Sequence, residues 1–148
     1  MGNLAIIRGD EGQIALEILG YENVQAQSVD DSNWLGAKLE VRGGVFSGAI
    51  TFAMTAPELA LLYQRVGSAT KTLAERVHFQ TTEGNWVLNL NFERSGGAVI
   101  SGTVTPDPVQ KNVLHYEFRS DGISLESLVQ ALGKLVAQYP VRHAVPAS

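Results

Sequence analysis

The chain has 148 residues, of which 45% are hydrophobic and 18% charged, with a net charge of −4 and no cysteine. That is enough apolar residue for a proper core and too little charge for a disordered chain. Without cysteine there are no disulfides, zinc–thiolate sites or cysteine nucleophiles.

Period-2 alternation dominates from the start. Leu4–Arg8 predicts a short strand, and GDEG at 9–12 a turn. Ile14, Leu16 and Ile18 then mark the inward positions of a second strand, paired with the first as a hairpin. Residues 20–33 read as a polar loop. Leu39 and Val41 alternate with Lys38, Glu40 and Arg42. GG at 43–44 turns the chain into VFSGAITFAM, where Phe46, Ile50, Phe52 and Met54 share one face. Gly48 on that face suggests a bulge or close packing.

TAPE at 55–58 predicts a helix start. Thr55 and Glu58 form a capping box, and Met54 and Leu59 stand at the staple positions. The apolar stripe is Leu59, Leu62, Tyr63, Val66 and Leu73, weakened by Gly67, where an early end is expected. Val77, Phe79 and Thr81 begin a second set of strands. Trp86, Leu88, Leu90 and Phe92 follow the EGN turn, and Ile100, Gly102 and Val104 follow SGG at 95–97. Leu114, Tyr116 and Phe118 make the last strand. Ser124 is the expected cap of a final helix, with Ile123 and Leu128 as its staple. Its stripe is Leu128, Leu132, Leu135, Val136 and Tyr139, and Pro140 stops it.

Four strands, a helix, four strands and a helix predict one α+β domain over 1–142, with residues 143–148 as a loose tail. Its sheet is mostly antiparallel and curved, with about eight strands and two amphipathic helices packed on one face.

Partners are constrained by charge. Lys and Arg are scattered singly, so no basic stripe offers itself to nucleic acid. No apolar run approaches the roughly 20 residues that span a bilayer, and Met1–Gly12 lacks the regions of a signal peptide, so a cytoplasmic protein is expected. The acidity is uneven. Between Gly9 and Ala37 lie Asp10, Glu11, Glu17, Glu22, Asp30 and Asp31, with no Lys or Arg. Gathered by the fold, these would favour a basic partner; scattered, they are a solvated surface.

Asp30 and Asp31 are the most conspicuous carboxylates. Neighbouring residues point apart, and DDSN lacks the spacing of a calcium loop, so an Asx-turn into a strand is expected rather than a metal site. His78 and His115 fall on the polar phase of their strands, with Glu117 and Arg119 beside His115. They would form an acid–base set only if their strands were neighbours; solvated residues are the simpler reading. No nucleophile elbow, phosphate loop or dinucleotide fingerprint is present. Phe46, Phe52, Trp86, Phe92, Tyr116 and Phe118 fit core positions. Trp34 follows the acidic loop, where it either pins the loop or anchors a protein interface.

Several segments together resemble the WapI-like bacterial immunity proteins. They are ALEILGYE at 15–22, DSNWL at 31–35, K-x-E-V-R-x-G-x-F-S-G at 38–48 and EL-x-x-L from Glu58. The TTE strand end at 81–83, the YxF-like strand at Tyr116–Phe118 and SLESLVQALGKLV-x-x-YPVR at 124–142 complete the set. The resemblance implies a small, non-enzymatic cytoplasmic protein that binds and neutralises a cognate toxin domain, such as a nuclease with a basic groove. It supplies no catalytic, cofactor or metal residue. On that implication the partner-binding candidates are Glu17, Glu22, Asp30, Asp31 and Trp34. The rivals are a structural or oligomeric domain that buries an apolar patch against a second copy, a small-ligand-binding domain, and a hydrolase using His78 and His115.

Overall fold

Apolar residues recur at every second position through most of this chain, and the backbone answers with strands. The structure, a computed structural model, describes residues 3–23, 26–72, 76–109 and 112–144. Strands β1 (Leu4–Arg8) and β2 (Gly12–Tyr21) lead to a short helix α1 (Val29–Ser32), then β3 (Trp34–Gly43), β4 (Phe46–Thr55) and helix α2 (Ala56–Thr72). Strands β5 (Arg76–Gln80), β6 (Trp86–Phe92), β7 (Ala98–Val104) and β8 (Leu114–Ser120) precede the last helix, α3 (Gly122–Gln138). The α+β class and the antiparallel pairing agree with the alternation. The strands divide into two four-stranded sheets, each in chain order, β1-β2-β3-β4 and β5-β6-β7-β8. Periodicity assigns a side chain to a face but carries no information on where one sheet ends and the next begins.

One apolar cluster draws on both sheets and both long helices. Ile14, Leu16 and Ile18 of β2 and Leu35 and Leu39 of β3 join Trp86, Leu88, Leu90 and Ile100, with Leu62, Leu128 and Leu132 from the helices. Helix α3 packs on α2 and on β1, while α2 meets β4 and β5. Strand β8 lies against β2 and β3. There Phe118 sits on Gly9 and Gly12, where any Cβ would strike its ring. The Tyr116 hydroxyl donates to the Val87 carbonyl at 2.6 Å and accepts from Trp86 Nε1 at 3.2 Å. Burial pushes that hydroxyl's pKa well above the usual tyrosine range.

The capping box is present as expected. Glu58 Oε1 accepts from the Thr55 N–H at 2.9 Å, and Thr55 Oγ1 accepts from the Glu58 N–H at 3.2 Å. The second Glu58 oxygen accepts from the Thr82 N–H at 2.7 Å, which ties the start of α2 to the turn after β5.

Other expectations are corrected. Helix α2 does not end near Gly67 but runs on to Thr72; a Cβ at Gly67 would stand 3.6 Å from Val129 of α3. Leu73 lies outside the described residues. The cap of α3 is Asp121, which accepts from the Ser124 N–H at 2.7 Å, and the intended staple residue Ile123 is 78% exposed. The register shift falls between Ile18 and Gly20, and of the two readings of Gly48 the bulge fails while the packing holds: it stays in register with Val41, and a Cβ there would lie 3.4 Å from the Leu114 side chain. Phe46 is not core: it is 68% exposed, at the β3–β4 turn where it pairs with Gly43.

Candidate functional site

The DDSN segment is helical rather than an Asx-turn into a strand. Ser28 caps α1, its hydroxyl accepting from the Asp31 N–H at 3.1 Å. Asp30 and Asp31 fill the single turn as exposed carboxylates at its positive end. Asn33 ends the helix and holds it in place. Its amide donates to the Val29 carbonyl at 3.0 Å and to the Arg142 carbonyl at 2.9 Å, and its oxygen accepts from the Arg142 N–H at 2.8 Å. The Arg142 guanidinium lies 3.5 Å from the centre of the Tyr21 ring and also reaches the Ser32 carbonyl. Tyr21 closes the loop by donating to the Pro140 carbonyl at 2.6 Å. The segment after α3 thus clasps α1 to the end of β2.

Glu22 and Trp34 meet at this corner. The Glu22 N–H donates to the Trp34 carbonyl at 2.9 Å, and the Glu22 side chain lies over Gly36. Trp34 is half-buried, and Glu22, Asp30 and Asp31 are exposed. Glu17 stands apart on the outer face of the sheet, in register with Lys38 and with Asn3 Nδ2 at 3.5 Å from its carboxylate. Asp10 and Glu11 lie at the other end of β2, on the order of 30 Å along the strand from Glu22. The six carboxylates between Gly9 and Ala37 therefore do not form one patch. Two cations also enter the region, Arg142 and Lys38.

Several ionisable groups elsewhere are engaged in structure. His78 and His115 sit on β5 and β8, the opposite edges of the second sheet, so they do not form a pair. His78 Nδ1 is 2.6 Å from Asn89 Oδ1. A 420 Å³ hollow beside the start of α3 is lined by Arg8, Asp10, Glu93, Arg119 and Asp121, among others. The main-chain N–H of Arg119 holds the Asp10 carboxyl below its usual range, and the Ser124 N–H does the same for Asp121. Among the described residues no group of three His, Asp or Glu side chains could hold a metal ion, and no helix is long and apolar enough to cross a membrane.

The sequence reading missed Asn33, Tyr21 and Arg142 as supports of this corner. The segments ALEILGYE, DSNWL and YPVR contain all three residues, but none says what its residue touches.

Solved structures with a similar fold include the plant transcriptional regulator PBF-2, at a TM-score of 0.51 and 13% identity over 92% of this chain and 80% of that one. WHY3 from Arabidopsis thaliana matches with a TM-score of 0.50 and 12% identity, over 92% of this chain and 86% of its own. At such identities the likeness is one of fold alone. No curated protein matches in sequence. The profile of the Immunity protein WapI-like family matches residues 5–140, nearly the whole length, and the chain belongs to that family.

Proposed function

We propose that this protein binds a cognate bacterial toxin domain and neutralises it by occupying a basic surface, without catalysing a reaction of its own. Family membership supports the immunity role. The observation that carries the choice of surface is the corner at α1. Glu22, whose N–H bonds the carbonyl of the half-buried Trp34, and Asp30 and Asp31 of α1 are exposed there, and Asn33 and Arg142 hold α1 in place. Pre-held charges beside an aromatic anchor suit a protein interface, where steering comes from charge and residence time from the buried ring. Glu17, set apart on β2 in register with Lys38, is left out of this surface. A toxin nuclease, basic where it meets phosphate, has the matching chemistry. Action in the cytoplasm follows from that role.

Calorimetry against the toxin domain encoded beside this gene tests the proposal. Tight binding that weakens with salt, together with loss of toxin activity, is the expected result. Absence of binding to a folded, active toxin domain contradicts it for that pair. The hydrolase alternative loses its basis, because His78 and His115 stand at opposite sheet edges.

A further inference from the structure

The outer edge of a sheet presents main-chain N–H and C=O groups that will pair with any free strand. On three of the four outer edges a residue within the strand has its main-chain group met from elsewhere in the chain. The Arg8 carbonyl of β1 accepts from the Ser120 hydroxyl. The His78 carbonyl of β5 accepts from Arg65 Nη1 at 2.7 Å. Arg119 of β8 donates its N–H to Asp10 Oδ1 at 3.0 Å and accepts the Asp10 N–H at 2.9 Å. Each of these strands also carries charge: Arg8 on β1, Arg76 on β5, Glu117 and Arg119 on β8.

The edge of β4 is different. Gly43 and Phe46 flank a two-residue turn and so form a hydrogen-bonded pair. Alternation from there turns the main-chain groups of Ser47, Ala49, Thr51 and Ala53 away from β3. Thr55 shares that phase, and its N–H is already taken by Glu58. Among the described residues nothing meets the main-chain groups of the other four. Ser47, Gly48, Ala49 and Thr51 are exposed, and Phe46 is 68% exposed. From Gly43 to Pro57 there is no charged residue.

We propose that β4 pairs antiparallel with β4 of a second copy of this chain, joining the two β1–β4 sheets into one. The neutrality of the edge selects this occupant. In a strand that pairs with itself about a two-fold axis, residues near the axis face one another, and any charge there meets a like charge. A strand from a different protein imposes no such requirement. With Ile50 on the axis, Ser47 bonds to Ala53 of the second copy and Ala49 to Thr51 of the second copy. Phe46 then lies opposite Met54 of the second copy and loses its exposure. Trp34, in register with Thr55, falls beyond the paired segment, so the acidic corner stays open at both ends of the joined sheet. The proposal is independent of toxin binding.

Light scattering coupled to size exclusion, run up to about 100 μM protein, tests it. The wild-type mass is expected to double as concentration rises. Ala49→Lys/Thr51→Lys sets lysine opposite lysine across the axis and is expected to stay monomeric. Ala49→Lys/Thr51→Glu sets lysine opposite glutamate and is expected to keep the dimer. Both positions are exposed, and circular dichroism with thermal melting checks that each variant is folded. A wild-type protein that stays monomeric overturns the proposal. So does a dimer that survives both double substitutions, or is lost in both.

Discussion

Asn33 is the residue on which the acidic corner depends. It is 5% exposed, and its amide group makes hydrogen bonds both to α1 and to Arg142, which is 109 positions away in the chain. Asn33→Ala removes those bonds and leaves partly buried main-chain groups of Arg142 without partners. We expect a loss of about 2–3 kcal/mol in urea unfolding, with a shifted emission from the adjacent Trp34. A loss below about 0.5 kcal/mol would mean the clasp is not structural. Tyr116→Phe is the parallel test inside the core. It orphans the Trp86 indole N–H and should cost about 1–3 kcal/mol by the same assay. Neither role was legible in the sequence. Asn33 reads as a polar neighbour of Trp34 and Arg142 as the end of a helix motif, and no local pattern brings together residues so far apart. Phe46 failed for a related reason. It sits on the apolar phase of β4, but phase assigns a face and not the distance to the core.

At the scale of elements the local signals were strong where the chemistry is local. Thr55-Ala-Pro-Glu58 specified a capping box, and both reciprocal bonds are present. Glu58→Ala should therefore cost about 1–2 kcal/mol and speed amide exchange in the first turn of α2 and at Thr82. Equal protection in the variant would show that packing alone holds that turn. The start of α3 was misread because DGIS offers two capping residues. Asp121 takes the role, and the Ser124 N–H is the group it caps. Acid provides a test. Asp10 and Asp121 both have folded-state pKa values below the ordinary 3.8. The stability they contribute is present above the unfolded value and lost as pH falls through the depressed folded value. The protein should lose part of its stability below about pH 4, and Asp10→Asn/Asp121→Asn should flatten that acid limb. An unchanged limb would assign acid unfolding to other carboxylates.

For the whole molecule, strand existence was readable and strand partition was not. Alternation located all eight strands to within a few residues. The division into two sheets depends on β8 packing across β2 and β3 through Phe118 and two glycines, which is a tertiary event. The candidate surface was legible in part for the same reason. Six carboxylates in one fifth of the sequence suggested a patch, but β2 is long enough to separate Asp10 and Glu11 from Glu22. What gathers is the smaller group of Glu22, Asp30, Asp31 and Trp34. In the proposed function this corner recognises the toxin. Stopped-flow association of the purified toxin domain with wild-type protein and with Glu22→Lys/Asp30→Lys/Asp31→Lys, at low and at high salt, tests it most directly. Charge reversal is expected to slow association at least about 10-fold at low salt, with the gap closing as salt screens the charges. Equal association rates for the two proteins at low salt would contradict it.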